Sequence, residues 1–107
     1  LGDRGAEQKL LPIAVEKGIA VMINIPFGHG RLFKAVADRS LPDWAKEIDC
    51  ESWGQFFLKY VVSHPAVTCT IPGTTKVHHI VDNIGAASGR MPDADFRKRQ
   101  EDFFDSL

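Results

Sequence analysis

The chain has 107 residues, 44% of them hydrophobic and 25% charged, with a formal net charge of −1. This is an ordinary globular composition for at most one domain, with no basic excess to attract nucleic acid and no apolar run near the roughly 20 residues that span a bilayer. Cys50 and Cys69 form no CxxC pair and the opening Leu1-Gly2-Asp3-Arg4 has no leader pattern, so the expectation is reduced thiols in a cytoplasmic protein.

Residues 6–17 have helix-forming composition, with Leu10, Leu11, Ala14 and Val15 on one stripe, and Pro12 predicts a kink or a late start. Lys17 and Gly18 close the segment as a last-turn cation and a C′ glycine. Ile19 to Ile25 is nearly continuously apolar and rich in β-branched residues, which predicts a central strand buried on both faces. From Pro26 to Glu51 the chain makes a long excursion holding Gly28, Gly30 and a short helix near 42–48, and excursions of this length are more often functional than idle. Ser52 and Gln55 then stand in capping-box relation ahead of Trp53, Phe56, Phe57, Tyr60 and Val61, an apolar stripe at helical spacing that Pro65 stops. That stripe reads as core.

Ala66 to Ile71 is predicted as the second strand. It runs into Ile71-Pro72-Gly73-Thr74-Thr75 and a helix from Lys76 to Ala87, with Val77, Ile80, Val81 and Ile84 on its expected buried face and Gly85 or Gly89 ending it. First-turn amides lack intrahelical partners and sit at the positive end of the helix dipole, so this strand–turn–helix has an anion-binding form. Taken alone, it reads first as an ordinary strand-to-helix turn, since such units are common and most hold no ligand. His78 and His79 are adjacent on the helix and lack the i, i+4 spacing of a metal pair, so no metal ligand is assigned. A last helix starts at Asp93 after Pro92 and carries Phe96, Phe103, Phe104 and Leu107 on one side. Within it Arg97-Lys98-Arg99, followed by Glu101 and Asp102, reads as a solvated face. Two strands joined by a helical crossover are expected to be parallel, with both C-terminal ends on one rim of the sheet, where ligands of α/β folds bind.

In order along nearly the whole chain, Gly18-Ile19-Ala20-Val21, Pro26-Phe27-Gly28-His29-Gly30-Arg31-Leu32, Ser52-Trp53 through His64-Pro65-Ala66-Val67, and Ile71-Pro72-Gly73-Thr74 through Asp82-Asn83 resemble the last part of an aldo/keto reductase. The resemblance implies an α/β fold, the C-terminal part of a TIM (β/α)8 barrel contributing two parallel strands with flanking helices, residues 1–107 being a C-terminal fragment. It also implies NADP(H) lying across the C-terminal rim. The barrel rule that puts phosphate in the loops after strands 7 and 8 agrees with the anion-binding turn read from the residues.

By the same resemblance Pro26, Phe27, Gly28, Gly30 and Leu32 match the loop that wraps the pyrophosphate. Gly73, Thr74 and Thr75 match the turn that holds the adenosine 2′-phosphate, with hydroxyl and amide donors suited to that anion. His79 stands where many members have arginine, and Asp82 and Asn83 match adenine contacts, although both also suit a solvated helix face. Histidine has neither arginine's fork nor its permanent charge, so NAD(H) is not excluded, and Lys76 offers a point charge instead.

The family's catalytic aspartate, tyrosine, lysine and histidine come from earlier strands that have no match here. Tyr60 belongs to the helical core stripe and is not transferred into that role, so no catalytic residue is assigned. The expected function is an NADP(H)-dependent oxidoreductase reducing aldehydes or ketones, of which this chain carries the cofactor-binding part and by itself gives no turnover. The alternatives are a free-standing nucleotide- or phosphate-binding half-barrel and a structural remnant without catalysis. Exposed sheet edges predict self-association of the chain. The sequence names no carbonyl substrate.

Overall fold

The computed structural model describes residues 1–107. Pro12 splits the first helical segment, because its ring collides with the carbonyl four residues back, that of Gln8. The chain forms α1 (Gly5–Gln8) and α2 (Leu10–Glu16) on either side of Lys9, whose φ is −133°. Pro12 itself falls in the first turn of α2, where its missing N–H is harmless. Gly18, at φ +62°, ends α2 in a Schellman motif, with its N–H donating to Val15 O and that of Ile19 to Ala14 O at 2.8 Å.

Strands β1 (Met22–Asn24) and β2 (Cys69–Ile71) pair in parallel, Met22 opposite Cys69 and Asn24 opposite Ile71. Thr70 Oγ1 donates to Ile23 O at 3.1 Å, and Thr68 Oγ1 accepts from Val21 N at 3.0 Å, so threonines extend a short ladder. The expected parallel pair with flanking helices is therefore what forms. The expectation of a doubly buried central strand is corrected. Met22 is 63% exposed, Ile19 and Ile25 are also exposed, and the sheet has only these two strands. An apolar strand is buried only when elements cover both faces, and within this chain one face has no cover.

Between the strands lie α3 (Arg31–Ala35), which the sequence reading missed, a 3-10 helix (Asp43–Ile48) and α4 (Trp53–Val62). Ser52 Oγ caps α4 by accepting from Gln55 N at 3.0 Å, while Gln55 Oε1 reaches back to Glu51 N at 2.9 Å, one residue beyond the usual capping-box partner. Every residue from Gly54 to Tyr60 is buried, so α4 is enclosed on all sides and not only along its aromatic stripe. Around it pack the 3-10 helix and α6 (Ala94–Asp105), whose N-cap Asp93 accepts from Phe96 N. Trp44 meets Phe56, Phe96 and Phe103 edge to face, with ring centroids 5.3 to 5.7 Å apart.

Helix α5 (Val77–Gly85) departs from expectation, since it has no buried residue and its apolar side chains Val77, Ile80, Val81 and Ile84 are exposed. Amphipathic periodicity identifies a face that can be buried, and here α4 and β2 cover it only across an open cleft. The accessible surface of 6787 Å² exceeds the roughly 5,900 Å² expected for a compact protein of this mass. Exposed apolar side chains of β1 and α5, and also Leu10, Ile13 and Val15 of α2, contribute to that excess.

Candidate functional site

The register places Asn24 beside Ile71, so the loops after both strands leave the sheet side by side at its C-terminal edge. On the first loop, Ile25 has φ +48°, a strained setting for a β-branched residue, and Gly28, His29 and Gly30 follow in the left-handed region at +57°, +55° and +80°. Glycine accepts that winding and leaves bare backbone, and nothing lies within 4 Å of where a Cβ on Gly30 would be. The loop is also tied to itself: Gly28 N donates to Ile25 O at 2.9 Å, Gly30 N to Phe27 O at 3.1 Å, and Arg31 Nε to Gly28 O at 3.1 Å. Of the other loop residues, Phe27 packs on Phe33 at 4.9 Å, whereas Pro26, Gly28 and the buried Leu32 line a cavity of about 980 Å³.

On the second loop, nothing lies within 4 Å of a Cβ on Gly73, and Thr74 Oγ1 accepts from Lys76 N at 3.2 Å just ahead of α5. Thr75, Lys76 and His79 are exposed, and the His78 and His79 rings stand 4.2 Å apart. The donor set of hydroxyls, an ammonium and first-turn amides suits an anion. Asn83 faces an apolar cleft of about 430 Å³ between β2, α4 and α5, lined also by Leu58, Val62, Ile80 and Ile84. Asp82 is neither open to solvent nor free. Its carboxylate accepts from Ser52 Oγ at 2.7 Å and from Gln55 Nε2 at 3.0 Å. The loop starts are thus brought together, while the residues of the second loop do not line the large cavity of the first.

That cavity holds a polar cluster which no short-range motif announces. The Tyr60 hydroxyl lies 2.8 Å from both Glu7 Oε1 and Glu101 Oε1, and Arg97 pairs with Glu7 at 3.0 Å, reaches the carbonyl of Tyr60 and lies 4.0 Å over the Tyr60 ring. Burial, then these two carboxylates, push the Tyr60 phenol well above its ordinary range. Burial lowers the pKa of His64, helped by Arg97 and opposed by Glu7. The solvated-face reading of Arg97-Lys98-Arg99 therefore fails for Arg97, which is buried, and Arg99 stacks 4.3 Å from the Trp44 ring. Partners drawn from α1 and α4 for Arg97, and from the 3-10 helix for Arg99, recruit these cations, and helical charge spacing cannot foresee that. Tyr60 is a core residue tethered by carboxylates, in keeping with its place on the stripe.

The aldo/keto reductase family matches residues 1–101. An uncharacterized oxidoreductase of Schizosaccharomyces pombe is 33% identical over 95 residues, which cover 89% of this chain and 30% of that relative. The chain thus spans about a third of the length of the curated relative it matches. No solved structure matches it.

Proposed function

Since the chain belongs to the aldo/keto reductase family of oxidoreductases, we propose that it is the C-terminal, cofactor-holding part of an enzyme moving a hydride between NADP(H) and an aldehyde or ketone. The observation that carries this reading is the parallel register: Asn24 beside Ile71 sends a glycine-wound loop and a threonine-lined turn from one edge of the sheet. The family typically uses a nicotinamide dinucleotide, which supplies the hydride when bound. The protein's part is to hold it.

In this reading Pro26, Phe27, Gly28, Gly30 and Leu32 form the pyrophosphate loop, Gly30 leaving backbone bare where phosphate approaches. Gly73, Thr74 and Thr75 hold the 2′-phosphate with first-turn amides of α5, and His79 and Lys76 lend donors beside it. Asn83 contacts the adenine, and Asp82 is taken up below. NADP(H) is the favoured cofactor because of the hydroxyl-rich turn, with NAD(H) the alternative because His79 offers no guanidinium fork. The residues that protonate the forming alkoxide lie outside these 107, so the chain alone is expected to give no NADPH-dependent carbonyl reduction above background.

The test is calorimetric titration of the whole enzyme with NADPH. Thr74→Ala puts one or two charge-assisted hydrogen bonds at risk, about 1.5–3 kcal/mol each, and is expected to weaken binding at least several-fold. Equal affinity of the two proteins would remove the 2′-phosphate from this turn. A second reading, a non-catalytic chain that associates with copies of itself, draws on the exposed apolar faces of β1 and α5.

A further inference from the structure

Helix α5 buries no residue, yet it is fastened to α4 through hydrogen bonds. We propose that Asp82 is a positioning residue: its carboxylate, gripped by Ser52 and Gln55 at the start of α4, sets how α5 presents its first turn to the 2′-phosphate, and it is not an adenine contact. The proposal rests on the cofactor reading above for its consequence and on the clamp's own geometry for its existence.

Each polar atom of the clamp has a defined partner. Ser52 Oγ accepts from Gln55 N at 3.0 Å and donates to Asp82 Oδ2 at 2.7 Å, which uses both sides of the hydroxyl. Gln55 Oε1 accepts from Glu51 N, which turns its Nε2 toward Asp82 Oδ1 at 3.0 Å. The carboxylate also lies at the first turn of α4, where the helix dipole favours negative charge over a neutral amide. Glycines admit the arrangement. A Cβ on Gly54 would stand 2.8 Å from Asp82 Oδ2, and one on Gly85 would stand 2.8 Å from Gln55 Nε2. Asp82 follows the first turn of α5 by about 7 Å of helix, so a tilt at the clamp displaces that turn. An apolar seam would tolerate sliding, whereas two short hydrogen bonds of fixed direction do not.

The adenine is common to NADPH and NADH, and the 2′-phosphate is not, which separates the two roles of Asp82. The whole enzyme and its Asp82→Ala, Gln55→Met and double variants are titrated with NADPH and with NADH, and amide hydrogen exchange is followed in α5 and α6. Gln55→Met leaves both Asp82 and the Ser52 cap in place, so it stands in if Asp82→Ala does not fold. Each single variant is expected to weaken NADPH about fivefold and NADH less than twofold, with the double variant no worse than either single one because both break one unit. Exchange is expected to quicken in α5 alone. Equal losses for the two cofactors, or a Gln55→Met that binds NADPH as the parent does, would overturn the positioning role. If the parent binds neither cofactor, the cofactor reading fails and exchange decides the clamp: faster α5 exchange in both variants upholds it, and unchanged exchange overturns it.

Discussion

Lys59 Nζ donates to Ser88 O at 2.6 Å and to Arg90 O at 3.1 Å from a side chain with no solvent exposure. Opposite it, Asp49 Oδ2 accepts from Arg90 N at 2.8 Å, and Gly89, at φ +73°, has no room for a Cβ against Asp49. The segment leaving α5 is thereby held from α4 on one side and from the end of the 3-10 helix on the other.

Replacing Lys59 by methionine keeps most of the packed stem and leaves the two carbonyls without their donor. Unpaired buried polar groups cost about 1–3 kcal/mol each, so Lys59→Met is expected to lower the urea midpoint markedly. An unchanged midpoint would mean that water replaces Nζ at no cost.

Tyr60 is the one tyrosine of the chain, so its ionisation can be followed without ambiguity. Burial first, and then Glu7 and Glu101, raise its pKa. A raised pKa makes the neutral phenol a stabilising group whose contribution is complete below about pH 10 and is lost as the pH climbs through the folded value. Near-ultraviolet titration is expected to show no tyrosinate until the fold itself gives way in alkali. Ionisation near pH 10 with native circular dichroism would contradict the buried hydroxyl.

The two thiols should separate by reactivity. Cys50 is buried and donates to Ser52 O at 3.4 Å, and burial pushes it up to about 11, whereas Cys69 is exposed on β2. Only thiolate alkylates. At pH 9, iodoacetamide is expected to label Cys69 quickly and Cys50 only after unfolding. Peptide mass mapping reads the difference, and equal labelling rates would show that the α4 entry opens freely.

Two apolar substitutions should differ sharply. Phe56 is wholly buried, and Phe56→Ala is expected to lose about 3–5 kcal/mol, a large share of the stability of a chain of this size. Ile80, 45% exposed, should cost the monomer little when changed to serine. The same Ile80→Ser change should weaken self-association. Sedimentation equilibrium at micromolar concentration is expected to give a mass above 11.9 kDa for the parent, since its surface excess slightly exceeds the roughly 800 Å² each partner gives to a standard interface. A single monomeric species would rule out association through these faces.

Local signals written in neighbouring residues were legible from the sequence. The Gly18 stop, the Pro12 break, the Ser52 and Asp93 caps, the aromatic stripe of α4 and the parallel strand pair all follow from contacts within a few residues or from the crossover rule. The family-like loops were legible too, as ordered motifs, although motif order says nothing of which amides are already engaged. What only the tertiary structure decided depends on groups far apart in the chain. Arg97 is buried because Glu7, 90 residues away, meets it. Asp82 is gripped because the start of α4, 30 residues earlier, faces it. The apolar faces of β1 and α5 are exposed because burial depends on what lies across from a face, while periodicity describes only the face.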